Sequence, residues 1–337
     1  MNCYIRSIAS ISPFSHPAPS PYNNAIICAG PDLGTLIGPR LTRRMSHVIK
    51  MGIAASMQAL ELAGNLHPDA IVVGTAYGCL DDTGVFLKKQ VMQKEAMLTP
   101  TAFIQSTHNT VGGQIGLLLH CHAYNNTFVH RGFSFEHALE DAMMLLEEGN
   151  ASNVLVGAVD EMTAISYSLL NRFGLFKNIT NPENPSPQKG AIGGEGAAFF
   201  VLGNQPNENN YAMLKAVSTL FKPTVEAVKD HINSLLEKHS LITTDVDLMI
   251  AGYNGDATSD KVYDDVLLPL FGKTPVIHFK NECGEFPTAT GYALYKAAAI
   301  LKQQLTIESI NKKATMNILI YNHYQNIHHT FQLVTAC

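Results

Sequence analysis

Charge is scarce in this chain: only 15% of its 337 residues are Asp, Glu, Lys or Arg, against roughly 25% in an ordinary soluble domain. Much of the surface must therefore be buried in a large core or covered by another subunit. With the 14 His counted neutral the net charge is −5, so the positive field that draws proteins to nucleic acid or anionic membranes is missing. No apolar run approaches the ~20 residues of a membrane span. The opening segment MNCYIRSIASISPF alternates like a strand and carries no basic region followed by an apolar one, so no signal peptide is expected. Heptads, Gly-X-Y periods and charge blocks are absent, which excludes coiled coil, collagen and disorder. Six cysteines (Cys3, Cys28, Cys79, Cys121, Cys283, Cys337) are scattered without a Cys-x-x-Cys pair. That argues against a disulfide framework or zinc site and for a reduced, cytosolic setting. Trp is absent too, which by itself excludes nothing.

The usual catalytic signatures are also missing. There is no Gly-x-Ser-x-Gly elbow and no His-Glu-x-x-His site. GGEG at 193–196 lacks the Lys-Ser/Thr ending of a phosphate loop and precedes a strand rather than a helix, so it reads as a tight turn. His120 and His122 flank Cys121, but a spacing of two on a helix turns side chains apart, and no metal site is expected.

What is present is alternation. Strand-like apolar runs occupy 70–74 (AIVVG), 153–159 (NVLVGAV), 197–202 (AAFFVL), 247–253 (DLMIAGY), 276–280 (VIHFK), 317–321 (NILIY) and 329–335 (HTFQLVT). Helical periodicity covers 45–63, 134–148, 224–239 and 288–304; in the second, Phe135, Ala138, Leu139, Ala142, Leu145 and Leu146 make one apolar face. Ser134 stands where an N-cap would, and Gly149–Asn150 where the helix would close. Strand–helix alternation over the whole length predicts a layered α/β protein. The Pro-, Gly- and Asn-rich stretch 177–196 reads as a long loop, of a length that is usually functional or mobile. NQPNENN after Gly203 reads as a linker, giving halves at 1–205 and 206–337.

Four segments, in order, resemble the β-ketoacyl-acyl-carrier-protein synthases, the condensing enzymes of fatty acid and polyketide synthesis. They are PTAFIQSTHNTVGGQIGLLL (100–119), SFEHALEDAMMLLEEGNASNVLVGAVDE (134–161), GGEGAAFFVL (193–202) and VIHFKNECGEFPTATGYALYKAAAIL (276–301). The resemblance implies a thiolase-like α/β fold: two similar βαβαβ halves in a layered αβαβα arrangement. It also implies a Cys nucleophile at a buried helix N-terminus, where the dipole lowers its pKa, and two His that stabilise an enolate.

Counted from those anchors, the three positions are filled otherwise. Gly132, in HRGFSF, stands at the Cys position; Asn254 stands at the first His, and Glu285 at the second, while Lys280 matches the family Lys. The family's glycine-rich gate corresponds to YNHYQNIHH (321–329), which has no glycine, so it must take another backbone path. Asn322 matches there and Tyr324 falls near the gating Phe. The resemblance is therefore to a chain-length factor of aryl-polyene, flexirubin-type or type II polyketide synthesis, with no cofactor. Such a subunit is catalytically silent, pairs with an active ketosynthase and shapes its acyl tunnel.

From that resemblance Asn126, Thr127, Phe128, Val129 and His130 would form the strand at the dimer seam. Phe103, Ile104, Ser106 and Thr107 would form tunnel wall, or alternatively plain interface packing. Arg40, Arg43, Arg44, Lys88 and Lys89 read as a solvated face, or as contacts for an acyl carrier protein, which would dock mainly through the partner. Two alternatives remain open: a repurposed acyl-processing site of Glu285, Cys283 and Asn254 with His130 nearby, and a non-catalytic homodimeric scaffold.

Overall fold

The computed structural model describes residues 3–43, 45–96, 98, 100–177, 189–305 and 316–337. The first half runs β1 (Cys3–Ile11), β2 (Pro17–Ala18), β3 (Ile27–Cys28), α1 (Gly34–Ile37), α2 (Pro39–Thr42), α3 (His47–Leu62), β4 (Ala70–Gly74) and α4 (Leu80–Met92). It continues with α5 (Pro100–Gln105), α6 (Thr110–Leu119), β5 (Tyr124–Phe128), α7 (Ser134–Glu147), β6 (Asn153–Asp160), α8 (Ala164–Arg172) and β7 (Gly196–Gly203). The second half runs β8 (Ala212–Phe221), α9 (Val225–Lys238), β9 (Leu248–Ala251), α10 (Ala257–Phe271), β10 (Val276–His278), α11 (Lys280–Cys283), α12 (Thr290–Leu301), β11 (Asn317–Tyr324) and β12 (His328–Thr335).

The two halves repeat one sheet plan. Strand order is β1-β7-β6-β4-β5 in the first and β8-β12-β11-β9-β10 in the second. In each, the first two pairings are antiparallel and the last two parallel. Three antiparallel pairs, Cys3↔Leu214, Tyr4↔Met213 and Ile5↔Ala212, join β1 to β8 into a ten-stranded sheet. Residues 204–211 connect the halves.

Side-chain alternation along the strands sorts the core into layers. Val72, Val154, Val156 and Phe200 of the first half, and Leu248, Ile250, Ile318 and Ile320 of the second, share one cluster with α7 and α12. Their alternate neighbours face outward: Ile71, Val73, Leu155 and Phe199 onto α3 and α6, and Met249, Leu319, Tyr321 and Phe331 onto α9 and α10. The result is five layers, αβαβα, with α7 and α12 in the middle. The central layer can be thin because α12 presents small residues, Ala293, Ala297, Ala298 and Ala299, to it.

Several local expectations are corrected. Ser134 is the first helical residue rather than the cap; its Oγ accepts from the His130 N–H at 2.8 Å and donates to the Arg131 carbonyl at 2.8 Å. Lys280 begins α11 instead of ending a strand. His120 is not within a helix but is the left-handed residue that closes α6. β8 had no expected strand because Lys215 and Ser218 interrupt its apolar run; it is nonetheless paired on both sides. Arg44 and most of the stretch 177–196 lie outside the described residues. Among the described residues, no helix is long and apolar enough to cross a membrane.

Candidate functional site

Parallel strands end together, and their carboxyl ends are where α/β proteins collect ligands. Here β4, β6, β9 and β11 deliver Tyr77, Asp160–Glu161, Asn254 and Tyr324 to one cleft of about 570 Å³. The turn after α11 adds Glu285, Phe286 and Pro287, and Leu170, Leu175 and Phe176 form an apolar flank. A wider groove of about 1120 Å³ shares Tyr77, Leu170, Leu175, Pro287, Tyr324 and Gln325, and extends past Leu169 and Phe173 to Arg131.

Three of the positions singled out in the sequence meet at the inner end. Asn254 Nδ2 donates to Glu285 Oε2 at 2.6 Å, and Lys280 Nζ donates to the same oxygen at 2.8 Å. Lys280 also donates to the His323 carbonyl at 3.1 Å, and its side chain is 1% exposed. Both donors fall on Oε2, so the buried Oε1 has no hydrogen-bond partner. Asn254 is itself fixed: Asp260 accepts from the Asn254 and Gly255 N–H groups, each at 2.9 Å.

The turn carrying Glu285 is clamped by the GGEG segment. Glu285 N–H donates to the Ile192 carbonyl at 2.8 Å, and Gly194 N–H donates to the Glu285 carbonyl at 3.1 Å. A Cβ on Gly194 would collide with the Cys283 carbonyl oxygen. GGEG therefore does more than turn the chain; its glycine lets two backbones touch. Glu195 locks the same corner, accepting from the Cys28 N–H at 2.8 Å, the Met162 N–H at 2.8 Å and His47 Nε2 at 3.0 Å. Burial lowers the pKa of His47, but the bond to Glu195 and the charges of Glu195 and Glu161 outweigh it and raise the value.

Asp160 ties the halves together. It is fully buried and accepts from the Ala76 and Tyr77 N–H groups, Thr75 Oγ1 and, across the seam between halves, Thr288 Oγ1 at 2.7 Å. Burial raises its pKa to about 6 against the pull of these donors. Glu161, accepting from the Val48 N–H at 3.0 Å, is raised by burial to about 7. Tyr77 and Tyr324 join their hydroxyls at 3.0 Å over the cleft. Sequence reasoning missed Tyr77, Glu161 and Arg131; only Asp160–Glu161, at the end of an apolar strand, left a readable signal.

At the start of α7, Gly132 is buried with its back to the β11–β12 hairpin. A Cβ there would lie 2.7 Å from Tyr324 Cβ and 2.8 Å from His328 Cβ. Arg131, just before it, has φ 50° and lines the groove. The hairpin turns without glycine because Gln325 and Asn326 both adopt left-handed φ, 56° and 51°, and this aims Gln325 into the cleft.

No cysteine lines the cleft or the groove. Cys3, Cys28, Cys79, Cys121 and Cys283 are buried. Burial pushes Cys3 and Cys79 up to about 12 and Cys283 well above the ordinary thiol range. His130 does not join Glu285 and Asn254; its Nδ1 faces His137 Nδ1 at 3.2 Å.

The remaining positions lie on the surface. Phe103 and Ile104 of α5 are 58% and 65% exposed. Ser106 bonds the Phe103 carbonyl and Thr107 bonds Thr110, all outside the cleft. Asn126, Thr127 and Phe128 lie on β5, which pairs only with β4 among the described strands, while Val129 and His130 follow it in exposed chain. Arg40, Arg43, Lys88 and Lys89 are exposed.

Residues 23–174 match the family model described as Beta-ketoacyl synthase, N-terminal domain. None of the curated proteins matches the sequence. Among solved structures, the ishigamide ketosynthase/chain length factor superposes with a TM-score of 0.78 at 16% identity, covering 99% of both chains. A beta-ketoacyl synthase from Burkholderia phymatum STM815 gives 0.80 at 15% identity, over 100% of this chain and 99% of that one. A type II PKS acyl-carrier protein in complex with its ketosynthase bound to the hexaketide gives 0.76 at 15%, over 100% and 99%.

Proposed function

We propose that this chain, a β-ketoacyl-synthase-like protein of the thiolase fold, is the catalytically silent member of a pair. In this reading it joins an active ketosynthase as a chain-length factor and walls that enzyme's acyl tunnel. The observation that carries the reading is the missing thiol. Acyl transfer needs a thiolate at the mouth of a cleft, and here the start of α7 offers glycine and arginine while no cysteine lines the cleft or the groove. The Glu285 carboxylate argues in the same direction, since negative charge opposes a developing enolate.

A silent subunit needs a surface to act through. β5 is a sheet edge among the described strands, which invites pairing with another strand. The same half exposes the apolar side chains Phe103, Ile104, Leu117, Tyr124 and Val129, and contact with another chain would cover such groups. Two of the solved neighbours are, by their own descriptions, a ketosynthase/chain length factor and a ketosynthase with its acyl-carrier protein. The proposal extends to a cytoplasmic aryl-polyene, flexirubin-type or type II polyketide system, with the carrier protein docking mainly on the partner.

The test is co-expression with ketosynthases that retain Cys and both His, followed by native mass spectrometry. A one-to-one complex is expected, with the partner's product length changing when Phe103 and Ile104 are altered. A homodimer that ignores every synthase would overturn the pairing. Carbon dioxide released from malonyl-carrier protein by this chain alone, and lost in Glu285→Gln, would overturn its silence.

A further inference from the structure

The cleft is not filled by what replaced the catalytic groups. Its inner end holds Glu285, whose side chain is nine-tenths buried and whose Oε1 has no partner while Oε2 takes both Lys280 and Asn254. A buried carboxylate oxygen left without a donor costs free energy that a ligand donor would recover. Between the ends one flank is apolar, with Met162, Leu170, Leu175, Phe176, Phe286 and Pro287, while Asp160, Glu161, Asp256 and Ser259 also line the cleft. At the outer end stands Arg131, which no ion pair engages among the described residues. The cleft and the groove share six residues and so form one continuous path between the unfilled acceptor and the free cation.

We propose that this path is a ligand site of the chain itself, for an elongated apolar carboxylic acid whose far end carries a hydrogen-bond donor. The donor, a hydroxyl or an ammonium, meets Glu285 Oε1; the apolar body lies along Leu170, Leu175 and Phe176; the carboxylate meets the Arg131 guanidinium. A plain fatty acid fits less well, because its methyl end would bury Oε1 still unpaired. The site does not depend on any companion subunit, so its failure leaves the pairing proposal standing, and the reverse.

Isothermal titration calorimetry on the full chain tests this with ω-hydroxyalkanoic acids of graded length. The comparison probes are the alkanoic acids without the hydroxyl, the ω-aminoalkanoic acids, and the ω-hydroxy methyl esters. One length of hydroxy or amino acid is expected to bind best, and roughly tenfold or more tighter than its methyl-ended counterpart. Whichever of the two is tighter identifies the donor. Arg131→Gln, at an exposed position, should weaken the acids roughly tenfold and leave the esters unchanged. Equal binding of hydroxy and plain acids, or no saturable binding of any probe, overturns the site, and neither result requires a substitution at Glu285.

Discussion

Lys280 and Glu285 form a 2.8 Å ion pair with side chains 1% and 10% exposed, and Asn254 adds its amide to the same carboxylate oxygen. In this position, where the family resemblance requires a histidine, the protein has built a buried charge pair across a tight turn. Buried pairs add little net stability, but breaking one strands a charge. Lys280→Met should lower the unfolding free energy by about 3 kcal/mol in urea titrations. Lys280→Met with Glu285→Leu should recover most of that loss. An additive double variant would mean the two side chains are not coupled.

Glu136 lies wholly inside the central layer, with Gln332 Nε2 donating to it at 3.2 Å. Burial raises its pKa to about 7. A carboxyl with a raised folded pKa holds its proton longer when folded, so its contribution to stability falls as pH rises from its ordinary value, near 4.5, to about 7. Glu136→Gln should therefore flatten the stability profile over that interval and stabilise the protein at pH above 7, by on the order of 2 kcal/mol. Chemical denaturation at several pH values measures the difference between the two profiles.

Restoring the thiol should not restore the chemistry. Gly132→Cys places a Cβ 2.7 Å from Tyr324 Cβ and 2.8 Å from His328 Cβ, which costs about 1–3 kcal/mol of overpacking. The expected outcome is a lower melting temperature and no covalent acyl adduct by intact-mass spectrometry after incubation with an acyl thioester. An adduct on that cysteine would mean the position faces the cleft after all.

The Phe128 carbonyl accepts from the Thr75 N–H at 3.1 Å on the β4 side. Strand geometry alternates, so the Thr127 N–H points away from β4, where the Asn126 Oδ1 takes it at 2.9 Å. Pairing with another strand must displace that side chain and use the freed donor. Thr127→Pro deletes the donor without touching the β4 ladder. It should leave folding stability within about 1 kcal/mol and abolish the complex with a ketosynthase in native mass spectrometry.

Much of the fold was legible along the chain. The run AIVVG is β4 from first residue to last, and the apolar face of 134–148 is the central helix α7. Both signals are local: a strand buried on two sides and a helix packed between two sheets impose their period on a few consecutive residues. β8 escaped because Lys215 and Ser218 sit on its half-exposed face. In the site, Asn254, Lys280 and Glu285 were found by resemblance and do meet, whereas Cys283 and His130 do not join them.

By itself the sequence determined that strands and helices alternate, that charge is too sparse for a fully wetted surface, and that no cysteine stands between the β5 segment and α7. Those are statements about neighbours, and neighbours are written side by side. Only the tertiary structure decided that Gly132 turns toward the hairpin while Arg131 takes the groove. The same holds for Tyr77 reaching Tyr324, and for both donors choosing one oxygen of Glu285. Each of those contacts joins segments brought together by ladder register and layer packing, and no local spacing records which residues such packing will set face to face.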